Sequence, residues 1–387
     1  MHNTIVAGLG LGLVGLLTGC GGGGAANPVP SLTTSPSAND RAQAFPTAAF
    51  AFIGDNPVAE EVAAELQAAL SDMSELAEGI GMSATVMSAD GTWSGATGKA
   101  DGVRDLRVDD QFAIGSVTKS VVAAQVMQMV EAGQLDLDDP VADHLPPDLD
   151  FDTNAATIRQ LLGHRSGIPD YDPFMLDKAS TDPKRRWAPA ELLTLVPDDR
   201  APVGQEFEYS STNYLLLDLV IQQVSGQPVS AVLRDGVLNI DGVERLIYQP
   251  DEVPTEPMAM PGGRTTVALE KGGGFLPSLA NATGGGPASA MASDSPSLAR
   301  WWRALCAGEI VSRDSLTQMT TWQDDYGLGL FNVADPYARA VGHAGWDVGY
   351  VSWAGCLPED GMVIVVLSNG EVDNIGGMAR PLFNAAR

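Results

Sequence analysis

Ser116 and Lys119 stand one helical turn apart in FAIGSVTKS (112–120), and they are the first residues of this chain whose types and spacing suit chemistry. A serine hydroxyl is a weak nucleophile until a base takes its proton, and a lysine deprotonated by burial is such a base. Spacing of three puts both side chains on one helix face. Placed at a helix N-terminus, the pair also gains from the dipole, which favours a developing anion and a less protonated lysine. The chain has five lysines (Lys99, Lys119, Lys178, Lys184 and Lys271), and no other has a serine three positions ahead. A chance Ser-x-x-Lys in such a chain has odds of about one in three, so the pair needs support from elsewhere.

Two further stretches offer it. Tyr209 opens YSSTNY (209–214), at the head of the apolar helical pattern TNYLLLDLVIQQVSG. A phenol near a lysine can pass a proton to a leaving group, although taken alone the residue reads as a tyrosine packed at a helix start. Gly342-His343-Ala344-Gly345-Trp346 precedes Gly349-Tyr350. Small residues on an edge strand let a substrate backbone lie alongside, and the Trp346 amide would then face that of Ser116 as an oxyanion hole.

The elements around these residues follow from pattern. Residues 57–79 have apolar positions at helical spacing, followed by two β-prone runs about Ala89-Asp90-Gly91. Near the other end, YVSWAGCLPEDGMVIVVLSNG reads as two strands about Pro358-Glu359-Asp360-Gly361, with a last helix over about 373–386. MVIVVL is continuous and apolar, as a central strand covered on both faces requires. Between them, 117–132, 156–164, 189–196 and 212–226 read as helices, the first apolar nearly all round and so buried. Residues 250–290 read as long surface loops, and Trp301 and Trp302 as packing residues of a later helix. The expected fold is α/β (α+β): one antiparallel sheet of five or more strands flanked by terminal helices. Its sheet part is 46–111 and 290–387, with an all-helical insertion at 112–289.

Composition narrows the partners. At 387 residues, 44% hydrophobic and 18% charged, the chain is globular, and its net charge of −27 excludes a nucleic-acid binder. Residues 5–17 form an apolar run too short for a comfortable membrane span, ending in Leu17-Thr18-Gly19-Cys20. That ending resembles the lipobox of bacterial lipoproteins, although MHNT lacks the usual Lys or Arg. The resemblance implies a signal peptide at 1–19, lipid attachment at Cys20 and a Gly/Pro/Ser tether at 20–45. It also implies an exported protein on the envelope or periplasmic side, touching membrane only through the anchor. Cys306 and Cys356 remain, read as two buried free thiols with a disulfide as the alternative. No Cys-x-x-Cys, His-Glu-x-x-His or His-x-His pattern occurs, so no metal site is expected.

Taken in order, FAIGSVTKS, LLGHRSGIPDY (161–171), FEYSSTNYLLL (207–217), YGLGL (326–330) and GHAGWDVGY (342–350) resemble the class C β-lactamase and serine D-Ala-D-Ala carboxypeptidase family. The likeness runs through most of 80–370. It implies the β-lactamase/transpeptidase-like fold, Ser116 as acylated nucleophile, and Lys119 and Tyr209 as general base and acid. It further implies an oxyanion hole from the amides of Ser116 and Trp346, a substrate-binding strand at His343, Ala344 and Gly345, and no cofactor. His164 and Tyr171 border the site by the same resemblance, with His164 read as a structural hydrogen-bonding histidine. The Gly-x-Ser-x-Gly of α/β-hydrolases is absent. Three positions depart from the family. Ser211 stands where asparagine is frequent, Ala344 where a hydroxyl is usual, and Phe331 where some members have arginine. Each lost contact to a substrate carboxylate costs about 1.5–3 kcal/mol. The expectation is a monomeric serine hydrolase acting on a cell-wall peptide, β-lactam or ester. D-Ala-D-Ala carboxypeptidase or β-lactamase action leads, followed by an esterase or small amidase, and then by a catalytically idle cell-wall-binding lipoprotein.

Overall fold

The computed structural model describes residues 44–51, 53–171, 182–254, 258–262, 278–335, 338–372 and 377–387. The apolar run 5–17, Cys20 and most of the tether lie outside them. Helix α1 (Glu60–Leu76) buries Leu66, Leu70 and Ser74, spaced by four along one face. Strands β1 (Met82–Ser88) and β2 (Gly91–Thr97) form the expected hairpin, with Ser88 paired to Gly91. The insertion then carries β3 (Phe112–Ala113), α2 (Thr118–Glu131), α3 (Ile158–Leu162) and α4 (Pro189–Leu193). It continues with α5 (Thr212–Ser225), α6 (Val229–Asp235), β4 (Ile247–Tyr248) and α7 (Leu279–Gly285). After it come β5 (Met291–Ser293), α8 (Ser295–Cys306), α9 (Arg313–Met319) and β6 (Phe331–Asp335). Strands β7 (Ala338–Asp347), β8 (Tyr350–Leu357) and β9 (Met362–Ser368) and helix α10 (Ala379–Ala385) complete the chain.

The main sheet is antiparallel, in the order β2-β1-β9-β8-β7-β6. Every residue of β9 is buried, as its continuous apolar run requires of a strand covered on both faces. Ile364 and Val366 pack with Leu66 and Leu70 of α1 and Leu382 and Phe383 of α10. Val363, Val365 and Leu367 alternate to the other face and share a core with Trp301 and Trp302 of α8. Burying such a side chain contributes about 1.5–3 kcal/mol. Helix α2 is buried from Thr118 to Met127, and Gly133, at φ +68°, ends it as Gln134 N–H donates to Met129 O at 2.9 Å. Among the described residues no helix is long and apolar enough to cross a membrane.

Four details differ from the sequence expectation. The insertion is not wholly helical, because β3 and β4 pair with β5 in a small sheet ordered β3-β5-β4. Residues 279–285, expected as surface loop, form α7. LANATGG has little helix propensity, but Ser278 caps Asn281 N–H at 3.0 Å, and Ala280 and Ala282 are buried. Cys306 and Cys356 are paired as a disulfide, not left as free thiols. Helix α8 packs across β8 and brings together two cysteines 50 residues apart, which spacing alone does not reveal. Lastly, β7 is not the edge strand: β6 is. Yet β6 pairs only with Ala338–Gly342, while β8 continues along β7 to Asp347, so the His343–Asp347 half has β8 on one side and no β6 on the other.

Candidate active site

Ser116 sits in a single 3-10 turn, Gly115–Val117, that runs directly into α2. Two glycines let this turn press against β7. A Cβ on Gly115, which has φ +50°, would lie 2.5 Å from the Trp346 carbonyl oxygen. A Cβ on Gly345 would collide with the Ile114 carbonyl. The serine is thereby held against the half of β7 left uncovered by β6, and is itself half-buried.

One turn on, Lys119 is completely buried, with Nζ 3.1 Å from Ser116 Oγ, 3.0 Å from Ala288 O and 3.4 Å from Ser211 Oγ. Loss of hydration pulls its pKa down from 10.5 to about 7, while the Asp170 carboxylate draws it partly back. Its Nζ also lies 4.8 Å from the ring centroid of Tyr209 and 5.5 Å from that of Tyr214. Tyr209 lines the same side of Lys119 as Ser116, and enclosure of the phenol holds its pKa well above the ordinary value, so it stays protonated.

Packing fixes Tyr209. His164 lies against it at 4.2 Å between centroids, and Phe331 stacks on it at 6.3 Å and 16°. His164 adopts φ +54° and is completely buried. Its Nδ1 accepts the Ser210 N–H at 3.2 Å and lies 3.1 Å from Asn213 Nδ2, tying the Tyr209 segment to the start of α5. Burial first, then the neighbouring Lys119, holds His164 far below its usual pKa, and it is neutral.

On β7, His343 is buried with Nδ1 2.6 Å from Ala344 O and Nε2 3.3 Å from Tyr326 Oη. Burial and then Lys119 lower its pKa to about 3, so it brings no positive charge to the site. Ala344 is half-buried against the core beneath the terminal helices, and Trp346 is 44% exposed. The structure thus brings Ser116, Lys119, Tyr209 and Ser211 into one cluster and sets Gly345 and Trp346 against the Ser116 turn. Sequence reasoning missed the Ala288 carbonyl, which lies in a Gly/Pro/Ala run without a chemical signature, and Asp170, which stood unremarked inside LLGHRSGIPDY. Among the described residues no group of three or more His, Cys, Asp or Glu is placed to hold a metal.

The profile of the beta-lactamase family matches residues 39–383. The chain belongs to the beta-lactamase family. It is similar to penicillin-binding protein 4 of Amycolatopsis lactamdurans, 34% identical over 168 residues, which are 41% of this chain and 41% of that relative's length. Among solved structures it is similar to a D-stereospecific amidohydrolase from Streptomyces sp., with TM-score 0.68 and 26% identity over 84% of this chain and 98% of that one. The D-amino acid amidase of Ochrobactrum anthropi SV3, solved with L-phenylalanine amide, gives TM-score 0.70 and 25% identity over 84% and 98%. Within this beta-lactamase-family cleft, the three departures from the family pattern are now placed. Ser211 Oγ is at Lys119 Nζ, Ala344 lies on the free half of β7, and Phe331 stacks on Tyr209.

Proposed function

We propose that this chain is a serine amidase working through an acyl-enzyme on Ser116, on small amides of the amino-acid-amide kind. What carries the reading is the buried Lys119 amine, 3.1 Å from Ser116 Oγ and 4.8 Å from the centroid of the Tyr209 ring. With its pKa near 7, about half of Lys119 is neutral at pH 7, against a few parts in ten thousand at 10.5. Neutral Lys119 takes the Ser116 proton as Oγ bonds to the scissile carbonyl carbon. The amides of Ser116 and Trp346 receive the oxyanion. Tyr209 gives its proton to the departing amine as the C–N bond breaks, and is reprotonated from Lys119. Water then adds to the acyl ester, giving a proton to the same pair, and Ser116 leaves with its hydrogen restored.

Recognition supports an amide or ester without a free carboxylate. Ala344, Ser211 and Phe331 are uncharged, and His343 is neutral. The likeness to an amidohydrolase and an amidase points the same way. A fluorophosphonate followed by peptide mass spectrometry is expected to place an adduct on Ser116 that disappears in Ser116→Ala. An unlabelled wild-type chain overturns the reading. Release of ammonia from D-phenylalanine amide is expected to outpace release of D-alanine from an acyl-D-Ala-D-Ala peptide, and the reverse order restores the carboxypeptidase reading. Export and lipidation at Cys20 are a further part of the proposal, supported by the sequence of residues 5–20; intact-mass analysis of membrane fractions tests them.

A further inference from the structure

Asp170 follows Pro169 in the loop facing the start of α5 and is exposed. Its Oδ1 accepts the Ser211 N–H at 3.0 Å and the Tyr171 N–H at 3.0 Å. Ser211 is the residue immediately before α5, and its own Oγ is 3.4 Å from Lys119 Nζ. The carboxylate therefore reaches Lys119 through one intervening residue, and the same amide contact pins the Tyr209–Ser211 segment. Asp170 makes no salt bridge among the described residues.

The titratable groups around Lys119 make this carboxylate matter. His164, on the loop after α3, and His343, on β7, are neutral, and Tyr209 and Tyr214 are protonated phenols. Asp170 is the one anion among these neighbours. Asp170 in turn faces Lys119, Tyr171 and Tyr209, and Tyr171 also faces Asp347 at the end of β7.

Resting on the Ser116 reading above, we propose that Asp170 is a positioning residue of the reaction. Through the Ser211 amide it holds the Tyr209–Ser211 segment onto Lys119, and its negative charge sets how readily Lys119 takes the Ser116 proton. The charge stabilises the ammonium form of Lys119, which competes with the free amine needed as base. While ionised, Asp170 thus lowers the share of free amine at a given pH and makes that amine the stronger base; desolvation raises its own pKa, so the effect fades as the pH falls toward the carboxyl's own titration.

The sign decides the experiment. In D170N the side-chain oxygen still accepts the Ser211 N–H, but the charge is gone and Lys119 loses its proton more easily. The rate of Ser116 phosphonylation by a fluorophosphonate, followed against pH by mass spectrometry, is expected to keep its bell or plateau shape. Its acid limb should move to lower pH by about half a unit to one unit. D170A also loses the acceptor, and its plateau rate is expected to fall about tenfold. A residue that only caps α5 would leave the D170N limb superimposed on wild type, and that result overturns the charge role. A D170A plateau equal to wild type overturns the positioning role. If D170A does not fold, D170N still decides. The Ser116 reading fails separately, by absence of any adduct on the wild-type chain.

Discussion

One wall of the cleft encloses its working groups: Lys119 and His164 are completely buried, and Tyr209 is gripped between His164 and Phe331. The opposite wall, the free half of β7, presents a half-buried Ala344 and a Trp346 that is 44% exposed. The same strand therefore sets a fixed backbone against Ser116 and leaves an open edge beside it. Burial does different things on the two walls. At Lys119 it removes hydration and makes an ordinary ammonium into a base near neutral pH. On β7 it neutralises His343, so this wall carries no cation there. On the proposed reading, chemistry and recognition sit on different walls, and substitutions on each should change different measured quantities.

The largest effect belongs to the enclosed wall. Lys119→Met fills the same channel with an apolar chain and removes the base. Single-turnover acylation is expected to fall about a thousandfold, within the range general-base catalysis supplies. A variant retaining a tenth of the wild-type rate would mean that another group deprotonates Ser116. Tyr209→Phe should cost less, about a hundredfold on an amide, because the leaving amine then departs without a positioned proton. A p-nitrophenyl ester, whose leaving group needs no proton, should lose far less in the same variant. Equal losses on both substrates would remove Tyr209 from the leaving-group role.

The two walls also differ in how far they could be read from sequence. That Ser116 and Lys119 would stand together was legible because a helix converts a spacing of three into a shared face, and the apolar run after them announced a buried helix. The hairpins at 82–97 and 350–368 were legible from their turns and β-prone runs. What escaped depends on chain segments distant in sequence. The Ala288 carbonyl reaches Lys119 across 169 residues and carries no side-chain signal. Helix α7 exists because Ala280 and Ala282 find buried places, a tertiary fact that overrides the weak propensity of LANATGG. The pairing of Cys306 with Cys356 required knowing that α8 crosses β8. The open half of β7 required knowing where β6 stops. Asp170 was visible as a letter, but its reach to Lys119 comes from the way the 161–171 loop meets the start of α5.

Ala344→Thr gives the smallest expected effect and sharpens the comparison from the open wall. Threonine suits a strand, and Ala344 is only half-buried on a stretch of β7 that β6 leaves free, so an added hydroxyl there is reachable from the free strand edge. One hydrogen bond from it to a substrate carboxylate is worth about 1.5 kcal/mol, or roughly tenfold. The quantity to measure is the ratio of kcat/KM for an acyl dipeptide ending in a free carboxylate to that for its carboxamide. Wild type is expected to favour the carboxamide, and the variant to move the ratio about tenfold toward the carboxylate. The rate of Ser116 phosphonylation should stay as it was, since no member of the enclosed wall has been touched. A ratio that stays put while phosphonylation falls would show that β7 acts on the nucleophile through its backbone, and that the two walls are one.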